Sequence, residues 1–414
     1  MLQDQESARP PVAFNPYAPG AVEDPAPMLA RLREEAPILY WDEGRCWVVS
    51  RYDDILAVIR DARFTTNRYA WEFARDEQIM AVRCPEFDAV TKGGFFALSP
   101  KAHARVRKLV SPSFTPRAVE RLRPTVQRIV DETLAAAPGG GETLDVARDF
   151  ADPIPLRVIS AMLKIPESQE ETFHRFADAV LRQLFPGLIA AAEAPRFASH
   201  LREGIAMVGE VIEDRRKNPI EGDMLTGLIQ AEEQGDRLDM TELLSLVTGL
   251  IVAGSETTVH MIAFTVLNLL RRPEVLAEVQ AEPELLKGVI EEVLRFDNFG
   301  KLGIARYALE DADIAGVPVR KGQMVMLMLS SALRDKSVFP DADTFDPRRD
   351  TGANIAFGNG AHFCLGANLA RLEGLVAVGT LLQRFPRMQL EAAPSFGPHP
   401  MIRKMDSLKI RLHP

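Results

Sequence analysis

One stretch limits this chain more than any other. Residues 243–270 are almost continuously apolar and by length alone would cross a bilayer. Near its middle stand Ser255, Glu256, Thr257, Thr258 and His260. An acid at bilayer depth costs about 2.5–3.5 kcal/mol on insertion scales, and the neighbouring polar groups add to that. The stretch therefore reads as a long helix buried in a soluble protein, and no membrane span is expected. Such a helix, apolar all round, requires other elements packed about it.

The rest of the chain supplies them. Helical periodicity marks 118–137, 155–163, 198–215, 240–270, 283–296 and 364–384. Strand-like alternation is confined to short pieces at 38–41, 46–50, 313–319 and 324–329. Those pieces lie towards both ends; if they pair, the ends meet, which predicts one large domain over 15–414 and a mobile tail over 1–14. The expectation is a mainly α fold of about a dozen helices with a minor antiparallel β region. Composition narrows the function classes. Lys plus Arg is 49 against 58 Asp plus Glu, a net charge of −9, a poor match for nucleic acid, which calls for cations along the phosphates. The N-terminus carries acids and prolines where a signal peptide needs an apolar core, and no disulfide framework emerges from Cys46, Cys84 and Cys364. A reducing, cytoplasmic setting is expected.

The chemistry concentrates at Phe357-Gly358-Asn359-Gly360-Ala361-His362-Phe363-Cys364-Leu365-Gly366. Gly358 and Gly360 permit positive φ and close approach of the backbone. Cys364 stands where a helical pattern begins, so free N–H groups favour its thiolate. A lone thiolate suits zinc poorly, since zinc takes several protein ligands. It suits one axial position of an iron porphyrin. This spacing resembles the haem-binding loop of the cytochrome P-450 family. The resemblance implies haem b buried between the long central helix and the cysteine loop, Cys364 as axial iron ligand, and Phe357 packed near the sulfur.

Two further motifs agree with that family. Ala253-Gly254-Ser255-Glu256-Thr257-Thr258 resembles its oxygen-binding helix motif. Gly254 costs about 1 kcal/mol in a helix interior, so it and Ala253 are read as leaving room for a ligand. The Thr257 hydroxyl can return to the carbonyl of Ala253. By resemblance, Thr257 holds bound oxygen through hydrogen bonds, and Glu256 relays protons. Glu292 and Arg295 share a helix face and match the family's structural Glu-x-x-Arg. His103, Arg107, Arg306 and His362 stand at positions that contact the anionic haem propionates in the family.

By the same resemblance, substrate contacts fall in 65–99, 182–195, 250–253, 296–305 and 401–402. Trp71, Phe73, Ile79, Phe95, Phe96, Val252, Asn298 and Ile402 are the pocket candidates. The run 297–303 departs from the family pattern, and Asn298 and Lys301 are read as polar groups facing either the pocket or solvent. The chain has no GxGxxG after a strand, so no bound flavin or dinucleotide is expected. Electrons derived from NAD(P)H would come from a ferredoxin or flavodoxin with its reductase, docking on Arg105, Lys108 and Arg371. The expected activity is hydroxylation or epoxidation, with O2, of a small lipophilic substrate. A terpenoid, steroid or other polycycle is the leading guess, ahead of fatty acids and macrolides, and the enzyme is expected to be a monomer. A peroxide-driven haem enzyme is an alternative that the Glu256–Thr257 pair weighs against; a haem-binding sensor or carrier is a third reading.

Overall fold

The computed structural model describes residues 12–413 except 75–83, 93, 96, 139–141, 184–191 and 234–235. Ile79, Phe96 and most of 182–195 thus lie outside the described residues. The apolar stretch forms the 31-residue helix Met240–Leu270. Its start is specified locally. The Asp239 carboxylate accepts the N–H of Glu242 at 2.8 Å, and Glu242 accepts the N–H of Asp239 at 3.0 Å, a reciprocal capping box. Pro273 opens the next helix, Pro273–Ala281, just past its end. Residues 258–269 are buried without a break. The helices Pro153–Met162, Ala367–Arg384 and Leu286–Phe296 pack against it, so its apolar surface is covered by protein.

The short strands pair across the chain. Ile38–Trp41 runs antiparallel to Cys46–Val49, which pairs in parallel with Met324–Leu327. That strand pairs in turn with Ile304–Ala308, and Phe64–Thr65 closes the edge. The two ends of the chain therefore share one five-stranded sheet. Cys46 lies in it, 1% exposed, with burial pushing its thiol up to about 12. That cysteine is an inert core residue. Phe14, expected in the tail, is buried and meets Trp41 edge to face at 5.2 Å.

Several elements differ from the periodicity. The helix expected over 118–137 splits into Pro116–Glu120 and Arg123–Ala136, since Pro124 has no N–H to continue the ladder. The piece 313–319 is a hairpin, Ala312–Ile314 with Val317–Val319. Its turn places Ala315 at φ 46° and Gly316 at φ 87°, the primed geometry that matches strand twist. The stretch 283–296 opens with a 3-10 turn before Leu286–Phe296. The last long helix starts at Ala367, three residues after Cys364.

One buried acid yields a direct test of the packing. Glu373, on Ala367–Arg384, is 2% exposed, and its Oε2 has no partner among the described residues. Burial pushes its carboxyl from 4.5 to about 8. A raised native value means the unfolded chain releases its proton first, so stability falls as pH rises from 4.5 through about 8. Glu373→Gln keeps the shape and removes that slope. Thermal melts of the two proteins should separate steadily across this range, with the variant the more stable at the alkaline end. Parallel curves would contradict the burial assignment.

Candidate active site around Cys364

The cysteine loop is shaped by its glycines. Gly358 and Gly360 adopt φ of 75° and 70°, which side chains other than glycine rarely tolerate. This curl lets the Cys364 N–H donate to the Phe357 carbonyl at 2.8 Å. The Cys364 sulfur in turn accepts the backbone N–H groups of Gly366 and Ala367, and Arg107 and Arg371 add positive charge nearby. Burial nevertheless outweighs these and raises the thiol above its ordinary range. The helix start alone therefore does not supply a thiolate, as the sequence suggested it would. Coordination to a metal removes the proton outright. Arg371 stacks over the Phe357 ring at 4.5 Å.

Four basic groups converge beside this loop. The His103 and His362 rings lie 4.2 Å apart. His362 is held down at about 4 by burial first, then by His103, Arg306 and Arg107. His103 Nε2 and His362 Nδ1 are buried without a hydrogen-bond partner among the described residues. Arg306 is 5% exposed, and its guanidinium donates to the Ala305 carbonyl at 2.9 Å. No carboxylate among the described residues forms an ion pair with any of the four. Basic groups drawn together without anions of their own fit an anionic ligand. Set beside a sulfur with two N–H donors, they fit a haem held by Cys364 through iron and by its propionates at His103, Arg107, Arg306 and His362.

The central helix opens at its polar motif. Ala253 and Thr257, one turn apart, are the exposed pair in the middle of the helix. Thr257 Oγ1 donates to the Ala253 carbonyl at 2.6 Å, as its position allowed. Gly254 has a different use from the one expected. A Cβ there would come within 3.2 Å of Ile159 Cδ1, so its small size admits the neighbouring helix Pro153–Met162. Glu256 Oε2 lies 3.1 Å from His399 Nε2. Burial raises the Glu256 carboxyl, but His399, Lys404 and His260 together bring it below its ordinary range. Sequence reading missed His399; its partner lies 143 residues away, and no local pattern marks the pair.

Glu292 and Arg295 form a buried ion pair, Arg295 Nη2 donating to Glu292 Oε1 at 2.7 Å. The pocket candidates divide. Trp71 and Phe73 meet edge to face at 5.6 Å, with the Arg45 guanidinium 4.9 Å over Phe73. The Phe95 ring is 4.5 Å from His103, close to the basic cluster. Val252 is partly buried and packs against the core under the helices 170–183 and 194–217. Ile402 bridges to Gly300, which seats the C-terminal turn on 300–302. Asn298 is not a free polar group. Its amide donates to the Leu294 carbonyl at 2.9 Å and accepts the Gly300 N–H at 2.9 Å, ending the helix Leu286–Phe296. Lys301 does not reach solvent: it is 6% exposed and donates to the His399 carbonyl at 2.7 Å.

The proposed docking patch is weaker than its composition. Arg371 Nη2 pairs with Glu291 at 3.0 Å, and Arg105 pairs with Glu242. Two of its three cations are thus largely compensated.

The cytochrome P450 family model matches residues 68–394. The epothilone C/D epoxidase of Sorangium cellulosum is 48% identical over 413 residues, 99% of this chain and 98% of that protein. The monooxygenase PikC of Streptomyces venezuelae is 37% identical over 420 residues, 99% of this chain and 96% of that protein. The crystal structure of epothilone D-bound cytochrome P450epoK superposes with a TM-score of 0.90 at 48% identity, covering 97% of this chain and 99% of that one.

Proposed function

This chain belongs to the cytochrome P450 family and is a monooxygenase of the bacterial type, and we propose that it hydroxylates or epoxidises a macrocyclic polyketide lactone. Haem b, bound through Cys364, supplies oxygen activation, since thiolate donation favours O–O cleavage. One oxygen atom of O2 enters the substrate and the other leaves as water, taking up two electrons and two protons. The electrons come from a ferredoxin or flavodoxin fed by an NAD(P)H-dependent reductase, in the cytoplasm. Thr257 offers its hydroxyl at the open face of the central helix, and Glu256 feeds protons towards it. His103, Arg107, Arg306 and His362 hold the propionates.

The observation that carries the haem-thiolate reading is the convergence of four basic groups, none ion-paired to a carboxylate among the described residues, beside a sulfur held by two N–H donors. The substrate class rests on relatives. Full-length similarity to the epothilone epoxidase, and to its epothilone-bound structure, favours a macrolactone over the terpenoid or steroid first expected. Titrating the haem-loaded enzyme with a macrolactone bearing an alkene, and separately with a steroid, tests this. The macrolactone should produce the saturable Soret shift of a substrate entering beside the iron. A shift from the steroid alone would overturn the proposed substrate class.

A further inference from the structure

Glu256 is held by a built partner. His399 is 6% exposed, and its Nδ1 accepts the N–H groups of Met401 at 3.2 Å and Ile402 at 3.0 Å. A ring nitrogen that accepts cannot also carry the proton, so neutral His399 has its hydrogen on Nε2. That nitrogen lies 3.1 Å from Glu256 Oε2 and donates to the carboxylate.

The turn bearing His399 is fastened from several sides. Lys301 Nζ binds the His399 carbonyl, and the Lys301 and Leu302 N–H groups both donate to the Met401 carbonyl. Arg403, 3% exposed, donates to Asp297 and to the carbonyls of Val22 and Glu23. The unusual run 297–303 and the C-terminal turn thus form one rigid mount for an imidazole. Other charged groups facing Glu256 are Lys404 from the same C-terminal segment, His260 one turn along its own helix, and Asp152 at the start of Pro153–Met162. His260 is 2% exposed, and its Nδ1 has no partner among the described residues. Glu256 Oε1 takes no hydrogen bond from a described residue, which leaves it the oxygen able to accept and pass protons.

We propose that His399 is a positioning residue for proton delivery: its Nε2–H fixes one oxygen of Glu256 and so directs the other towards Thr257. This rests on Glu256 being the relay acid. The proton moves from solvent to Glu256 Oε1 and on towards Thr257, while His399 keeps its own.

The test uses the haem-loaded enzyme with its redox partner. Histidine 15N spectra of the reduced, carbon-monoxide-bound protein should show a ring protonated at Nε2 alone, absent from His399→Gln. His399→Ala should lower product formed per NAD(P)H about tenfold, the worth of one charge-assisted hydrogen bond. It should also enlarge the solvent deuterium isotope effect and leave the carbon-monoxide spectrum unchanged. His399→Gln, which retains an N–H donor, should restore most of the coupling. In a Glu256→Gln background, His399→Ala should have no further effect. If Glu256→Gln itself leaves coupling intact, the relay assignment falls and this inference with it. If Glu256→Gln uncouples but His399→Ala does not, or if the two effects simply add, only the role of His399 is overturned.

Discussion

Cys364→Ser should lower turnover by at least about a hundredfold, because even outer-shell partners of metal ligands reach that size when removed. The substitution is nearly isosteric, so the loop should survive it. The Cys364 N–H still meets the Phe357 carbonyl, and Gly358 and Gly360 still turn the chain. A hydroxyl is a harder and far less acidic ligand than a thiol, and it cannot donate electron density as a thiolate does. The basic cluster of His103, Arg107, Arg306 and His362 remains, so haem should still be retained. Loss of turnover with retained haem and an unchanged melting temperature is the expected combination. Turnover within a few-fold of the parent would remove Cys364 from the centre of the account.

Arg295→Ala should destabilise the protein by about 3–5 kcal/mol, the cost of leaving a buried charge without its partner. Arg295 is 2% exposed and Glu292 1%. Two guanidinium nitrogens bind the Glu292 carboxylate at 2.8 and 2.7 Å. The third, Nη1, reaches the carbonyls of Leu333 and Ala342 at 2.9 and 3.0 Å, and Nη2 also reaches that of Thr344 at 3.2 Å. Glu292 Oε1 also takes the Asp346 N–H at 2.9 Å and is paired with Arg349 at 3.4 Å. The pair therefore ties the helix Leu286–Phe296 to the segment before the cysteine loop. Lysine should not rescue it, because an ammonium cannot span a bidentate carboxylate and three carbonyls. Arg128 provides the contrast: it is exposed and pairs with Glu132 one turn away. Arg128→Ala should change stability by under about 0.5 kcal/mol. Urea melts that show equal losses for both variants would contradict this view of the Glu292–Arg295 network.

What could be read from the sequence was what is local. The cysteine loop announces itself because two glycines, a histidine and a thiol must follow in close order for the backbone to curl around a ligand. Thr257 was legible because its hydroxyl bonds four residues back. The central helix was legible because its apolar run is contiguous. Contacts across the chain were hidden. The Glu256–His399 pair spans 143 residues and Arg371–Glu291 spans 80. Gly254 looked like room for a ligand, since nothing in the sequence shows Ile159 packed against it. Asn298 is different, because its signal was present. An Asn just past a helical run, followed two residues later by Gly, marks a helix stop.

The chemistry of this site depends on thiolate ligation by Cys364. It is tested most directly by the absorption spectrum of the haem-loaded protein, reduced and saturated with carbon monoxide. The strongly red-shifted Soret band that only a thiolate ligand produces should appear in the parent protein and be absent from Cys364→Ser. A parent spectrum showing the shorter-wavelength band of imidazole or neutral-thiol ligation, or a red-shifted band that survives the serine substitution, would contradict it.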